Sequence, residues 1–213
     1  MVYRLPMPKY DSVIFDLDGT LWDSRECVAE ARNIVMERLG YDLRFTGEDV
    51  QKTMGMTSDR VYEISFASIP KDQYPEIRRL LGPQIAAGVL AGGAKLFAEV
   101  EATLERLKEK LPLFLVSNCS VPYFEAYFKW SGHSRFFKDS ICYGTNSLPK
   151  ADNIRLIVAR NGLKKAVYVG DTKGDQQSAQ AAGIDYIHCD YGFGEAEGSC
   201  ARITRFSDLL ERI

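Results

Sequence analysis

The chain has 213 residues, 46% hydrophobic and 26% charged, with a formal net charge of −2 at pH 7, enough for one well-filled core plus an extra module or for two small domains. That balance offers no general attraction for nucleic acid or anionic membranes, so a bound anion must be held by local groups. Five cysteines are scattered without a CxxC spacing, which argues against a disulfide framework or zinc site and fits a reducing compartment. The opening MVYRLPMPKY lacks the apolar core of a signal peptide, and no run approaches the ~18 apolar residues of a membrane span. A cytoplasmic protein is expected.

The first β-rich apolar run is Ser12–Asp16. Helix after helix follows from Trp22 to about Leu90. Asp23 with Glu26 reads as a capping box for a helix through Leu39, on which Val28, Ala31, Val35 and Leu39 align. Weaker helical patterns cover Ser58–Ser68 and Asp72–Ala87, and GVLAGGA at residues 88–94 suits a hinge. Lys95–Lys110 puts Leu96, Phe97, Val100, Leu104 and Leu107 on one stripe and stops at Leu111-Pro112. Short buried strands are then expected at Leu113–Ser117, Ile141–Tyr143, Val167–Gly170 and Asp185–Cys189, with helices at Val121–Trp130, Pro149–Asn161 and Asp175–Ala182 between them. Strands alternating with helices predict an α/β fold: a parallel sheet covered on both faces, with sites at the carboxyl ends of its strands. The helical stretch after the first strand predicts a separate cap, giving a core of 1–21 and 90–213 and a cap of 22–89.

The first strand runs into VIFDLDGTLWDS (residues 13–24), which sets Asp16 and Asp18 two positions apart. Asp18-Gly19 between apolar runs is also a hairpin signal. On an extended strand, residues two apart face the same side, so two carboxylates there repel unless something positive joins them, and a divalent cation is the usual solution. Three later strand ends supply partners: Ser117-Asn118, the helix opening at Pro149-Lys150, and Gly170-Asp171-Thr172-Lys173-Gly174-Asp175. A lysine in a helix's first turn opposes the macrodipole by ~0.3–1 kcal/mol; an anion bound there turns that conflict into attraction.

Taken together, DxDGT, Ser-Asn, Lys and GDxxxD in this order resemble the haloacid dehalogenase superfamily of phosphotransferases over essentially the whole chain. In that family the third lysine commonly precedes a proline, whereas Pro149 precedes Lys150 here; Lys138 is a weaker alternative. The resemblance implies a Rossmann-like sheet of order 3-2-1-4-5 with a cap after the first motif. It implies Asp16 as nucleophile and Asp18 as general acid and base. Mg²⁺ would be held by Asp16, the Asp18 backbone carbonyl and Asp171, with Asp175 as ligand or support. Phosphate would be held by Ser117, Asn118, Lys150 and backbone around Gly19. An aspartyl-phosphate intermediate divides one hard step into two.

Asp18 argues against the dehalogenase and phosphonatase branches, which lack or replace it. Sugar phosphomutases typically carry a histidine in the first cap helix, and residues 24–39 have none. Neither Cys-x5-Arg nor GxxxxGK[ST] occurs, which disfavours cysteine phosphatases and P-loop enzymes. The nearest resemblance is to phosphoglycolate phosphatase-like enzymes acting on small phosphate esters, with a phosphomutase or a non-catalytic phospho-ligand-binding protein as alternatives. Trp22, Gly55 and Met56 are candidate substrate contacts at the hinge and cap.

Overall fold

The computed structural model describes residues 9–198 and 200–213; most of the segment read above for a leader, residues 1–8, lies outside them. The first half runs β1 (Ser12–Phe15), β2 (Trp22–Asp23), α1 (Arg25–Arg38), α2 (Gly47–Gln51), α3 (Ser58–Ser65), α4 (Tyr74–Leu90), β3 (Lys95–Leu96) and α5 (Val100–Lys108). The second half runs β4 (Leu113–Ser117), α6 (Val121–Ser131), β5 (Phe137–Cys142), α7 (Tyr143–Asn146), α8 (Lys150–Asn161), β6 (Ala166–Gly170), α9 (Lys173–Ala182), β7 (Asp185–Cys189), β8 (Ala201–Ile203) and α10 (Leu209–Arg212). Among the described residues no helix is long and apolar enough to cross a membrane.

Six strands form one parallel sheet in the order β5-β4-β1-β6-β7-β8. The five expected strands keep their 3-2-1-4-5 order, and β8 adds a sixth at the edge. Three residues, two of them only partly buried, leave too short a pattern to read in advance. The strand at the centre is β1, with Val13 paired to Leu113 on one side and Val167 on the other. Alternation divides the core between the two faces. Val13 and Phe15 join one apolar cluster, while Ile14 joins Phe114, Val116, Tyr168, Ile154 and Ile157 in the other. Burying side chains of this size contributes about 1.5–3 kcal/mol each, which offsets the cost of drawing Asp16 under the surface at the strand's end. The hairpin reading fails because β1 takes both neighbours from distant strands; Asp18 and Trp22 meet only as an isolated bridge.

Several boundaries move for local reasons. The Asp23–Glu26 capping box does not form: Asp23 lies in β2 and Ser24 is the α1 N-cap, without a capping side-chain bond, but the Asp23 carboxylate accepts from the Arg25 amide at 3.1 Å as well as from the Arg25 guanidinium. The helix read from Lys95 starts at Val100, since Lys95 and Leu96 pair antiparallel with Asp23 and Trp22. Strand β5 begins at Phe137, four residues before the expected start, and Tyr143 opens α7 instead of ending the strand. Helix α4 continues through Gly88 to Leu90, so the glycine-rich stretch is half helical. Helix α2 was not expected; Thr46 and Asp49 close a full capping box on it. Helix α4 packs against α1 on one side and α6 on the other, tying the helical segment to the sheet's flank.

Candidate active site

The site is assembled at the carboxyl end of the central strands. The Asp16 amide donates to the Val169 carbonyl at 2.8 Å, continuing the β1–β6 ladder by one residue and fixing where the Asp16 side chain stands. Lys150, first residue of α8, donates from Nζ to Asp16 Oδ1 at 2.8 Å and to Asp175 Oδ1 at 2.6 Å. All three side chains are at most 3% exposed. The cation at a helix N-terminus that looked unfavourable in the sequence is thus neutralised by two carboxylates. Asp175 is positioned by the start of α9: Thr172 caps the helix, and Asp175 Oδ2 accepts from the Thr172 amide and hydroxyl. Lys138, the alternative lysine, is exposed near the amino end of β5.

Asp16, Asp171 and Asp175 bring carboxylate oxygens within 4.8 Å of one another. Three buried carboxylates against one ammonium leave the site short of positive charge. Burial lifts the Asp16 carboxyl to about 7 against the pull of Lys150. Asp171 is pushed well above the usual carboxylate range by burial and then by Asp175 and Asp16. Burial opposes the Lys150 charge, but Asp16 and Asp175 overcome it and hold the ammonium above its ordinary value. Asp171 Oδ2 accepts from the Phe193 amide at 2.7 Å, whereas Oδ1 is buried with no partner. An orphaned carboxylate oxygen inside an acidic triad is what a hard, oxygen-preferring cation would satisfy. The donor set fits one.

Two glycines make room for this arrangement. At Gly19 (φ +79°) a Cβ would stand 2.0 Å from Asp171 Oδ2, and at Gly192 a Cβ would stand 2.2 Å from the Asp171 Cβ. The Gly19 amide, expected to bind phosphate, instead donates to the Trp22 carbonyl at 3.0 Å. That bond closes the turn, so what Gly19 contributes is space beside Asp171.

Asp18 Oδ1 accepts from Trp22 Nε1 at 2.9 Å, from Ser24 Oγ at 2.8 Å and from the Tyr123 hydroxyl. Burial raises its pKa while these three bonds oppose the rise. Trp22 was expected to face substrate; the structure corrects this. Its indole is fully buried against Tyr123, Tyr127 and Trp130 and holds Asp18 in place. Ser24 and Tyr123 were not singled out from sequence. The serine could have been, from its place beside the DxDGT turn, but the tyrosine reaches Asp18 across 105 residues of chain. Phe193 and Gly192 lie in a YGFGE segment whose role the sequence does not disclose.

Above Asp16 and Asp18 opens a cleft of about 450 Å³, within the ~300–1,000 Å³ of small-molecule sites. Ser117 and Asn118 line it from the end of β4, as does Cys119. Gly55 and Met56 line it from the helical segment, together with Arg32 and Tyr62. Bonds bridge the sides: Asn118 Nδ2 donates to the Gly55 carbonyl at 2.7 Å, Gln51 Nε2 to the Phe193 carbonyl at 2.9 Å, and the Tyr143 hydroxyl to Asp59 Oδ2 at 3.1 Å. Asn118 Oδ1 is buried without a partner.

The chain is similar to known proteins over most of its length. The chain is 29% identical to a phosphoglycolate phosphatase of Yersinia pestis over 94% of its own length and 92% of that protein's. It is 30% identical to one from Shigella boydii, covering 87% of this chain and 83% of that one. A haloacid dehalogenase-like family hydrolase from Streptococcus pneumoniae superposes with a TM-score of 0.79 at 25% identity, over 95% of this chain and 98% of the other. The haloacid dehalogenase-like hydrolase model matches residues 13–189, a span holding every acidic and basic group of the site, and the chain belongs to that family.

Proposed function

We propose that the protein is a Mg²⁺-dependent phosphatase that hydrolyses small phosphomonoesters of the phosphoglycolate type through an aspartyl-phosphate on Asp16. The observation that carries this reading is the buried Asp16–Lys150–Asp175 chain beside Asp171, which reaches the cleft through Asp16, with Asp18 separately held in the same cleft. The similarity to phosphoglycolate phosphatases supports the substrate class. We divide the chain into a core of 1–21 and 90–213 and a cap of 22–89 that closes on the substrate.

Asp16, the Asp18 carbonyl and Asp171 would hold Mg²⁺, whose charge cancels the repulsion between an attacking carboxylate and a phosphate monoester. Asp175 works through its neighbours: Lys150 occupies Oδ1 and Thr172 occupies Oδ2, so it positions the lysine. Asp16 attacks phosphorus as the ester P–O bond breaks. Asp18 donates a proton to the departing alkoxide, then takes one from the water that attacks the aspartyl-phosphate, steps together worth ~10²–10⁴ in rate. Water attack frees inorganic phosphate and returns the Asp16 carboxylate. Ser117, Asn118 and Lys150 hold the phosphoryl oxygens, where fixed donors stabilise the developing charge.

The test is release of inorganic phosphate from 2-phosphoglycolate and a panel of sugar and triose phosphates, with Mg²⁺ and with EDTA. Release is expected for small esters, lost in EDTA and in Asp16→Asn. Transfer to a second sugar hydroxyl in place of water would make the protein a mutase, and binding without turnover would leave it a phospho-ligand-binding protein.

A further inference from the structure

Arg32, in the middle of α1, is 4% exposed and lines the cleft that holds Asp16 and Asp18. Its charge has no counter-ion: among the described residues no carboxylate forms a salt bridge with it. Its bonds go only to hydroxyls, from Nη1 to Ser65 Oγ at 3.2 Å and from Nη2 to Thr53 Oγ1 at 3.4 Å, and Nε is buried with no partner. The Phe45 ring lies 5.3 Å from the guanidinium carbon, covering one face and leaving the donor edge as the useful one. Arg78 also lines the cleft, but Asp59 neutralises it at 2.5 Å. Arg32 is therefore the cleft's uncompensated cation.

A buried guanidinium without an anion is unfavourable unless a ligand supplies one. Its free edge, Nε with a weakly engaged Nη2, is a pair of parallel N–H donors matched to two oxygens of a carboxylate or phosphate. The roof of the cleft thus offers a second anion site, distinct from the phosphoryl site at Asp16 and Lys150. We propose that Arg32 is the specificity-determining residue, and that the substrate is a phosphomonoester carrying a second oxyanion at the end away from the ester. This rests on the phosphatase reading of the cleft floor.

The test compares kcat/KM for three esters of similar size: ethyl phosphate, with no second charge; 2-phosphoglycolate, with a carboxylate; and ethane-1,2-diol bisphosphate, with a second phosphate. Wild type is expected to prefer one or both doubly anionic esters by at least ~30-fold, because a site built for a charged acceptor leaves its donors unpaired otherwise. The better of the two identifies the oxyanion. In Arg32→Met this preference falls toward one, mainly through KM, and Arg32→Lys restores part of it. A wild-type ratio near one, or a ratio that survives Arg32→Met, overturns the inference. So does a fall in melting temperature of Arg32→Met with the ratio intact, the signature of a purely structural arginine. If no ester is turned over, calorimetric binding of the same three compounds in Mg²⁺ separates the two readings. A binding preference lost in Arg32→Met keeps the anion site while the phosphatase reading falls; no preference overturns the site as well.

Discussion

Asp171 shows how little freedom a single side chain has at this site. Its Oδ2 is held by the Phe193 amide, and Gly19 and Gly192 approach it more closely than any side chain would allow. The YGFGE segment is therefore part of the wall around the acidic triad. Gly192→Ala is expected to push Asp171 out of position and weaken Mg²⁺ about 10–100-fold, the usual cost of disturbing a ligand's supporting contacts; Mg²⁺ titration of activity or of tryptophan fluorescence measures it. The acidic residues and Lys150 are legible in the sequence because Asp16 and Asp171 directly follow a strand, Asp18 lies in the turn after β1, and Lys150 and Asp175 sit in the first turn of a helix. Gly192 and Tyr123 are not. Their importance lies in what stands opposite them in space, which no local spacing records.

Among the elements, the cleft's two sides meet through few polar bonds. Gln51, at the end of α2, donates to the Phe193 carbonyl, Asn118 donates to that of Gly55, and Tyr143 donates to Asp59. On the cap reading proposed above, a segment joined by few bonds is suited to opening for product release. Gln51→Ala removes one bridge without touching the carboxylates, and KM is expected to rise roughly 3–10-fold while kcat stays within about twofold; steady-state kinetics on the preferred ester check this. The longer helices could be read from their apolar stripes and the buried strands from their β-rich runs. The ribbon of β2 and β3 could not, since two residues carry no period and the pairing joins positions over 70 residues apart. For the same reason the strand role of Asp23 is hidden, since it depends on Lys95, while its bond to the Arg25 amide at the start of α1 is local.

For the molecule as a whole, an apolar sheet supports a patch of buried negative charge. Without a cation, burial and mutual repulsion raise the Asp16 and Asp171 pKa values. A carboxylate whose folded value is raised contributes stability below its unfolded pKa and loses it as pH rises through the folded one. The metal-free protein should therefore weaken from mildly acidic to mildly alkaline pH, and Mg²⁺ should restore it by binding the folded state alone. Asp171→Asn removes one of the charges. It is expected to raise the metal-free melting temperature by a few degrees, corresponding to about 1–2 kcal/mol, and to abolish the rise that Mg²⁺ gives wild type. Differential scanning calorimetry with and without EDTA measures both.

The ribbon also has a consequence for how such a molecule can change. Trp22 lies beside Leu96 and Asp23 beside Lys95 in a ribbon of its own, so the helical segment begins and ends at a single point. The ends of residues 24–94 lie side by side at the ribbon, and a segment of any length with adjacent ends fits the same place. Asp16, Asp18, Lys150, Asp171 and Asp175 all come from outside the segment, whereas Arg32, Gly55 and Met56 come with it. On the function proposed above, the reaction and the choice of substrate then rest on separate pieces of chain and can diverge independently.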